Sequence, residues 1–255
     1  MESMLSNPLA VRILSHADDK LMLGHVQSDW TGLGPILEED IASSAMAQDD
    51  LSHALTLYQY LGDRYDLDPD VIAFERSADN YFCCDLVTQS DEFDWAGSVV
   101  KRWLMATYML IVIADLSKAD DDSDLGARCD RILPEQELQV LHLQRWIIRL
   151  SNAGDEARER MQLALDRIAP LAGMVVEMPG HGPSPQESCL IRREEIFREW
   201  TAGLHETIKQ AGLNATFSLP EQTQLGGRRS RHADHFKEQL VEMTEVRRVD
   251  PGASW

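Results

Sequence analysis

The sequence is short of positive charge. Its 255 residues hold 24 Lys+Arg against 43 Asp+Glu, a formal net charge of −19. That balance disfavours nucleic acid and anionic membrane surfaces, which are polyanions themselves. It suits a partner protein with a basic face. Cysteine is scarce as well: four in a chain this long make no disulfide framework. Cys83 and Cys84 are adjacent while Cys129 and Cys189 are isolated, so no zinc spacing arises. No hydrophobic run is long enough to span a bilayer. The strongest one, Leu104 to Ala114, rises only about 16 Å as a helix, roughly half a bilayer core. Residues 1–10 lack a charged segment followed by an apolar run, so no secretory signal is expected. A reduced, cytoplasmic protein that binds neither membrane nor nucleic acid fits these absences. Strand-type alternation is also nearly missing.

What is present is helical periodicity. Apolar residues make up 44% and charged residues 26%, enough for one large domain or two small ones. Asn7-Pro8 is an N-cap followed by proline at the first helical position, and predicts a helix to about Trp30. Thr31-Gly-Leu-Gly-Pro35 stops it and starts a second, with Glu38, Glu39 and Asp40 in the first turns. That one reaches about Gly62. Asp68-Pro69 opens a short helix. A long helix from about Phe93 to Ala119 precedes Asp120-Asp121-Asp122, expected to loop into solvent. Pro134 marks the start, or a kink, of a helix to about Leu150. Asp155 to Glu177 is a fifth long helix, 178–190 a loop, and helices near 191–211 and 231–246 finish the chain. An all-α bundle follows, with residues 99–114 as its most enclosed helix. We expect a single domain over 1–255, with a core bundle at about 8–152 and additional C-terminal helices at about 155–246.

Several chemistry-bearing residues fall on separate helices: Asp29, then Asp49/Asp50 with His53, then Gln139 with His142. They resemble the ligand pattern of a four-helix carboxylate-bridged di-iron protein. Such a site takes a carboxylate from each of two helices and a Glu-x-x-His from each of the other two. No Glu-x-x-His occurs here. Asp50-x-x-His53 puts both side chains on one face, but Asp is one methylene shorter than Glu. The bland reading is a solvated acidic turn with an exposed His. Asp29 reads better as a hydrogen-bonded acid beside Trp30 than as a ligand. From Val99 to Ala114 there is no acid at all, only Lys101, Arg102 and mostly apolar residues. Gln139 is a neutral amide where a carboxylate would be needed to balance iron. Glu135 lies one turn from Gln139, beside Pro134, with Glu137 nearby.

The stretch Leu21 to Asp40 (LMLGHVQSDWTGLGPILEED) carries GHxxS(D/E)W followed by GPxLEED. Trp146-Ile-Ile-Arg-Leu150, Arg160-Met-Gln-x-Ala-Leu-Asp166 and Gly227-Arg-Arg-Ser-Arg-His232 follow in order. Over nearly its whole length the chain resembles the family formed by the C subunit of phenylacetyl-CoA epoxygenase (1,2-phenylacetyl-CoA epoxidase). The resemblance implies a ferritin-like fold and a complex with a homologous subunit. That subunit holds the di-iron pair and epoxidises an aromatic acyl-CoA in phenylacetate catabolism, with O2 and a separate reductase. The C subunit is then a non-catalytic structural partner in a heterodimer, with further subunits in the complex. The resemblance puts Asp49, not Asp50, at the family's acidic position, and Ala106 at one often acidic.

Two of four ligand contributions are thus missing, and the expectation is a chain with no catalytic residues, no metal and no cofactor of its own. Asp29, Asp49, Asp50, His53, Gln139 and His142 are vestigial positions on this reading. The alternatives are an active di-iron oxygenase subunit using Asp29, Asp50, His53, His142 and Glu135, and a stand-alone helical binding protein. Gly226 to Arg231 is a local basic cluster whose Arg228, Arg229 and Arg231 are candidates to contact CoA phosphates or the partner subunit. A solvated loop explains it equally.

Overall fold

Asn7 does what its position promises: its side chain accepts from the backbone N–H of Leu9 and Ala10, and α2 runs from Pro8 to Ser28. A computed structural model describes residues 1–88, 94–118, 123–180, 187–219, 226–232 and 234–250, the side chains of 187–191 and 234 excepted. A one-turn helix α1, Glu2–Leu5, precedes it. Helix α3 runs Leu37–Tyr65 and stops at Asp66, whose left-handed φ of 52° ends the helix. Helices α4 (Pro69–Phe74) and α5 (Asp85–Thr88) lie in the crossover. Asp94 then caps α6, Trp95–Leu116, through Gly97 N–H. Helix α7 spans Ser123–Ser151, α8 Asp155–Ala172, α9 Glu187–Ala211, α10 Asp234–Met243 and α11 Glu245–Val249. No strand occurs among the described residues.

Helices α2 and α3 form one antiparallel hairpin, and α6 and α7 another. The crossover joins them. Helix α3 also packs on α7, and α8 and α9 lie against α6 and α7. This is an all-α, ferritin-like bundle. One hydrophobic cluster runs from Met4 to Phe236. Helix α6 is enclosed as its composition suggests, but α2 is enclosed as fully: every residue from Ile13 to Gly24 is buried.

Two expectations need correction. Pro134 lies inside α7, which begins at Ser123, so of start or kink the start reading falls. An internal proline costs about 3 kcal/mol. Leu125, Cys129 and Ile132 before it, and Val140, Leu143 and Ile147 after it, are all buried. At about 2 kcal/mol per buried side chain, either set outweighs that cost. The last long helix starts earlier than periodicity suggests, at Glu187. Asp120-Asp121-Asp122 and residues 181–186 of the expected loop lie outside the described residues.

The GHxxSDW segment has a packing reason. A Cβ on Gly24 would sit 2.8 Å from Leu51 Cγ and 3.0 Å from the Ala47 carbonyl, so α2 and α3 approach closely only over glycine. Trp30 is buried, edge-on to Trp95 at 5.1 Å, and Trp95 meets Trp146 at 6.3 Å. Asp40 then ties the turn by accepting from Gly32 N–H at 2.7 Å and Gly34 N–H at 3.3 Å.

Candidate functional site

The centre of the bundle is occupied by a lysine. Lys20, fully buried on α2, donates from Nζ to Asp50 Oδ1 at 2.5 Å and to Gln136 Oε1. Gln136 passes the polarity on: its Nε2 donates to the Ala106 carbonyl at 3.0 Å and to Gln139 Oε1 at 3.3 Å. Gln139 Nε2 donates to the Met46 carbonyl at 3.3 Å, and its side chain also bonds Asp49. The chain of bonds therefore touches α2, α3, α6 and α7 in one layer. Each glutamine accepts on one side and donates on the other. A carboxylate at either position would set oxygen against a backbone carbonyl, so the amide is the group this network requires. Gln139 works here as a donor.

Asp50 and His53 are both buried, which overturns the expected solvated turn with an exposed histidine. His53 Nε2 lies 2.7 Å from Glu135 Oε2 across the α3–α7 seam. Burial, with the Lys20 charge, pushes its pKa down to about 3. The ring is therefore neutral near pH 7 and donates from Nε2, leaving Nδ1 with no hydrogen bond among the described residues. Asp49 is half-buried, and burial and the neighbouring Glu135 raise its pKa.

The remaining sequence candidates do not converge on this layer. His142 pairs with Glu39 at 2.9 Å, about three turns along α3 from Asp50. Asp29 is the exposed C-cap of α2. Ala106 contributes its carbonyl alone. Arg102 is buried and donates to Ser43 Oγ at 2.6 Å and approaches Met46 Sδ at 3.6 Å. Sequence reasoning missed Lys20 and Gln136. The available signal was the run Asp18-Asp19-Lys20 inside an otherwise apolar helix.

Those two aspartates are buried as well. Asp18 accepts from Tyr58 Oη at 2.7 Å, Phe82 N–H at 2.8 Å and both terminal nitrogens of Arg76. Asp19 accepts from Cys84 N–H at 2.7 Å and from Arg228 Nη2 at 2.5 Å. Burial alone would raise the Asp19 pKa; Arg228 beside it holds the carboxyl below its usual range. Arg228 is fully buried, donating also to the Val175 carbonyl. This corrects its place among the contact candidates: its guanidinium is spent inside the fold and cannot meet a CoA phosphate or a partner. Arg229 is half-buried near Glu177 at 3.7 Å, and only Arg231 of the three is exposed.

Among the described residues no three His, Cys, Asp or Glu side chains gather as a metal site would need. No helix there is long and apolar enough to cross a membrane. The chain is similar to the C subunit of 1,2-phenylacetyl-CoA epoxidase from Escherichia coli (strain K12), with 23% identity over 251 residues, 98% of this chain and 100% of that protein. The low identity over full length marks a divergent relative. The family model described as phenylacetic acid catabolic protein matches residues 1–255, and the chain belongs to that family.

Proposed function

We propose that this chain is the non-catalytic, structural subunit of a multicomponent di-iron oxygenase of phenylacetate catabolism. Its partner is a homologous subunit that carries the iron and epoxidises an aromatic acyl-CoA, with further subunits and a reductase completing the assembly. The full-length similarity to the C subunit of an epoxidase supports the setting. The observation that carries the structural role is Lys20. A di-iron centre needs carboxylates from all four helices. This layer has one buried Asp already neutralised by an ammonium, two amides acting as donors, and a histidine committed to Glu135. A divalent ion about 4 Å from the Lys20 charge would meet roughly 8 kcal/mol of repulsion at an effective dielectric of 20. The donor set does not fit iron, and we derive no chemical step in this chain.

What the chain offers a partner is surface. Leu37, Ile41 and Leu55 recur on one exposed face of α3, a stripe interrupted by Ser44 and Gln48 and preceded by exposed Leu33 and Ile36. Such a stripe favours assembly over life as a monomer. The test is co-expression with a homologous iron-bearing subunit, followed by sizing and iron analysis. We expect a complex whose iron follows the partner after separation. Two irons per copy of this chain, once separated and still folded, would sink the proposal. An Ile41→Asp variant that assembles unchanged would remove the stripe from it.

A further inference from the structure

A pocket of about 210 Å³ is lined by residues of α2, α6, α9 and the segment 176–179, with Arg12 and His16 about two turns and one turn before Lys20 on α2. Val176, Met178, Pro179 and Ile196 give it apolar walls, with the Tyr108 and His16 rings beside them. Tyr108 is neutral, its pKa pushed up to about 12 by burial, and His16 is neutral, pushed down to about 4 by burial. Three arginines line the same space: Arg12, Arg192 and Arg193. Two of them are already balanced. Arg12 and Arg192 share the Asp115 carboxylate, and Arg192 also meets Glu195 at 3.2 Å. Arg193 is different. Glu177 and Glu194 lie close enough to act on its charge, yet among the described residues it bonds neither: its Nε donates to the Val176 carbonyl at 3.0 Å and its buried Nη2 makes no hydrogen bond. Glu177, 4% exposed, also lines the pocket; burial raises its pKa, and among the described residues its buried Oε1 makes no hydrogen bond.

A buried guanidinium nitrogen without an acceptor costs free energy that an arriving anion would recover. The volume is a little larger than the cavity of about 150 Å³ that holds benzene, which limits an apolar body to about one ring. We propose that this pocket binds a small monocarboxylate: a compact apolar body against Val176, Met178 and Ile196, and a carboxylate accepting from Arg193. The proposal does not rest on the structural-subunit reading, because none of these residues belongs to the Lys20 layer.

The test is calorimetric titration of the full chain, alone or with its co-expressed partner, using benzoate and its neutral analogue benzamide at pH 7. Benzoate should bind one to one, and benzamide about ten-fold more weakly for want of the charge-assisted bond. Arg193→Gln should weaken benzoate by about ten-fold while benzamide is unchanged. Ile196→Trp, with an unaltered circular dichroism spectrum, should abolish binding of both by filling the pocket. No saturable heat for benzoate up to about 10 mM would overturn the proposal. Equal affinity for the two probes, or an Arg193→Gln variant that holds benzoate as well as the parent, would overturn it too. Should Ile196→Trp fail to fold, the Arg193→Gln comparison decides alone.

Discussion

Lys20→Met isolates the charge at the centre of the bundle. The substitution keeps the stem and removes the ammonium. Asp50, 1% exposed, then faces the interior as a carboxylate without its cation, and Gln136 Oε1 loses its donor. Breaking a buried pair from one side costs about 3–5 kcal/mol, because the remaining charge stays desolvated. Stabilities of folded domains are about 5–15 kcal/mol, so the variant should sit near the edge of folding. With an m value of about 3 kcal/mol/M, the urea midpoint should fall by roughly 1–2 M. The double variant Lys20→Met/Asp50→Leu removes both charges and should recover at least half of the loss, since apolar replacement of a buried pair is often neutral. The assay is urea unfolding followed by circular dichroism at pH 7 for parent, both single variants and the double. A single variant within about 1 kcal/mol of the parent would refute the reasoning, as would a double variant no better than the sum of the singles.

Three further outcomes follow from the same structure. Arg228→Ala strands the Asp19 carboxylate and should cost about 3–5 kcal/mol, with faster proteolytic cleavage near residues 226–232; a loss under about 1 kcal/mol would contradict the buried pair. His16 titrates at about 4 in the fold against 6.5 when unfolded, so the unfolded chain takes its proton first and stability is lost as pH falls from 6.5 towards 4. Between pH 7.5 and 4.5 that contribution is roughly 2–3 kcal/mol; urea midpoints of parent and His16→Gln should converge at the lower pH, and parallel pH profiles would rule the effect out. Asp40→Ala frees the Gly32 and Gly34 amides and should cost about 1–2 kcal/mol, seen as a melting temperature lower by roughly 2–8 °C; an unchanged melting temperature would show that the turn holds without it.

The helices were legible because capping and periodicity are local: Asn7-Pro8, Asp68-Pro69 and the apolar run in α6 each state their own conformation. Pro134 misled because its local cost is real, while the burial that overrides it depends on what α7 packs against. The centre was half legible. The spacing of Asp50 and His53 puts them on one face, yet nothing local distinguishes a solvated acidic turn from a buried one. The partner that buries them, Lys20, is 30 residues away. Asp18 and Asp19 were less visible still, since Arg76 and Arg228 lie 58 and 209 residues from them. Arg228 shows the limit most plainly: in the sequence it is one of a basic cluster, and only the fold separates it from its exposed neighbour Arg231.

The span between Asp19 and Arg228 also bears on how the chain is made. Helix α2 emerges early from the ribosome with three charges on a segment destined for the interior. Lys20 meets Asp50 soon, but Asp19 waits for a residue 209 positions later. At about 5–20 residues per second, synthesis of that stretch takes roughly 10–40 s. During that time any native packing of α2 leaves the Asp19 carboxylate without its cation, at a cost of about 3–5 kcal/mol. Native packing of α2 is thereby weaker until translation nears its end, and a chain stopped short of Arg228 should be cleaved in α2 faster than the full chain.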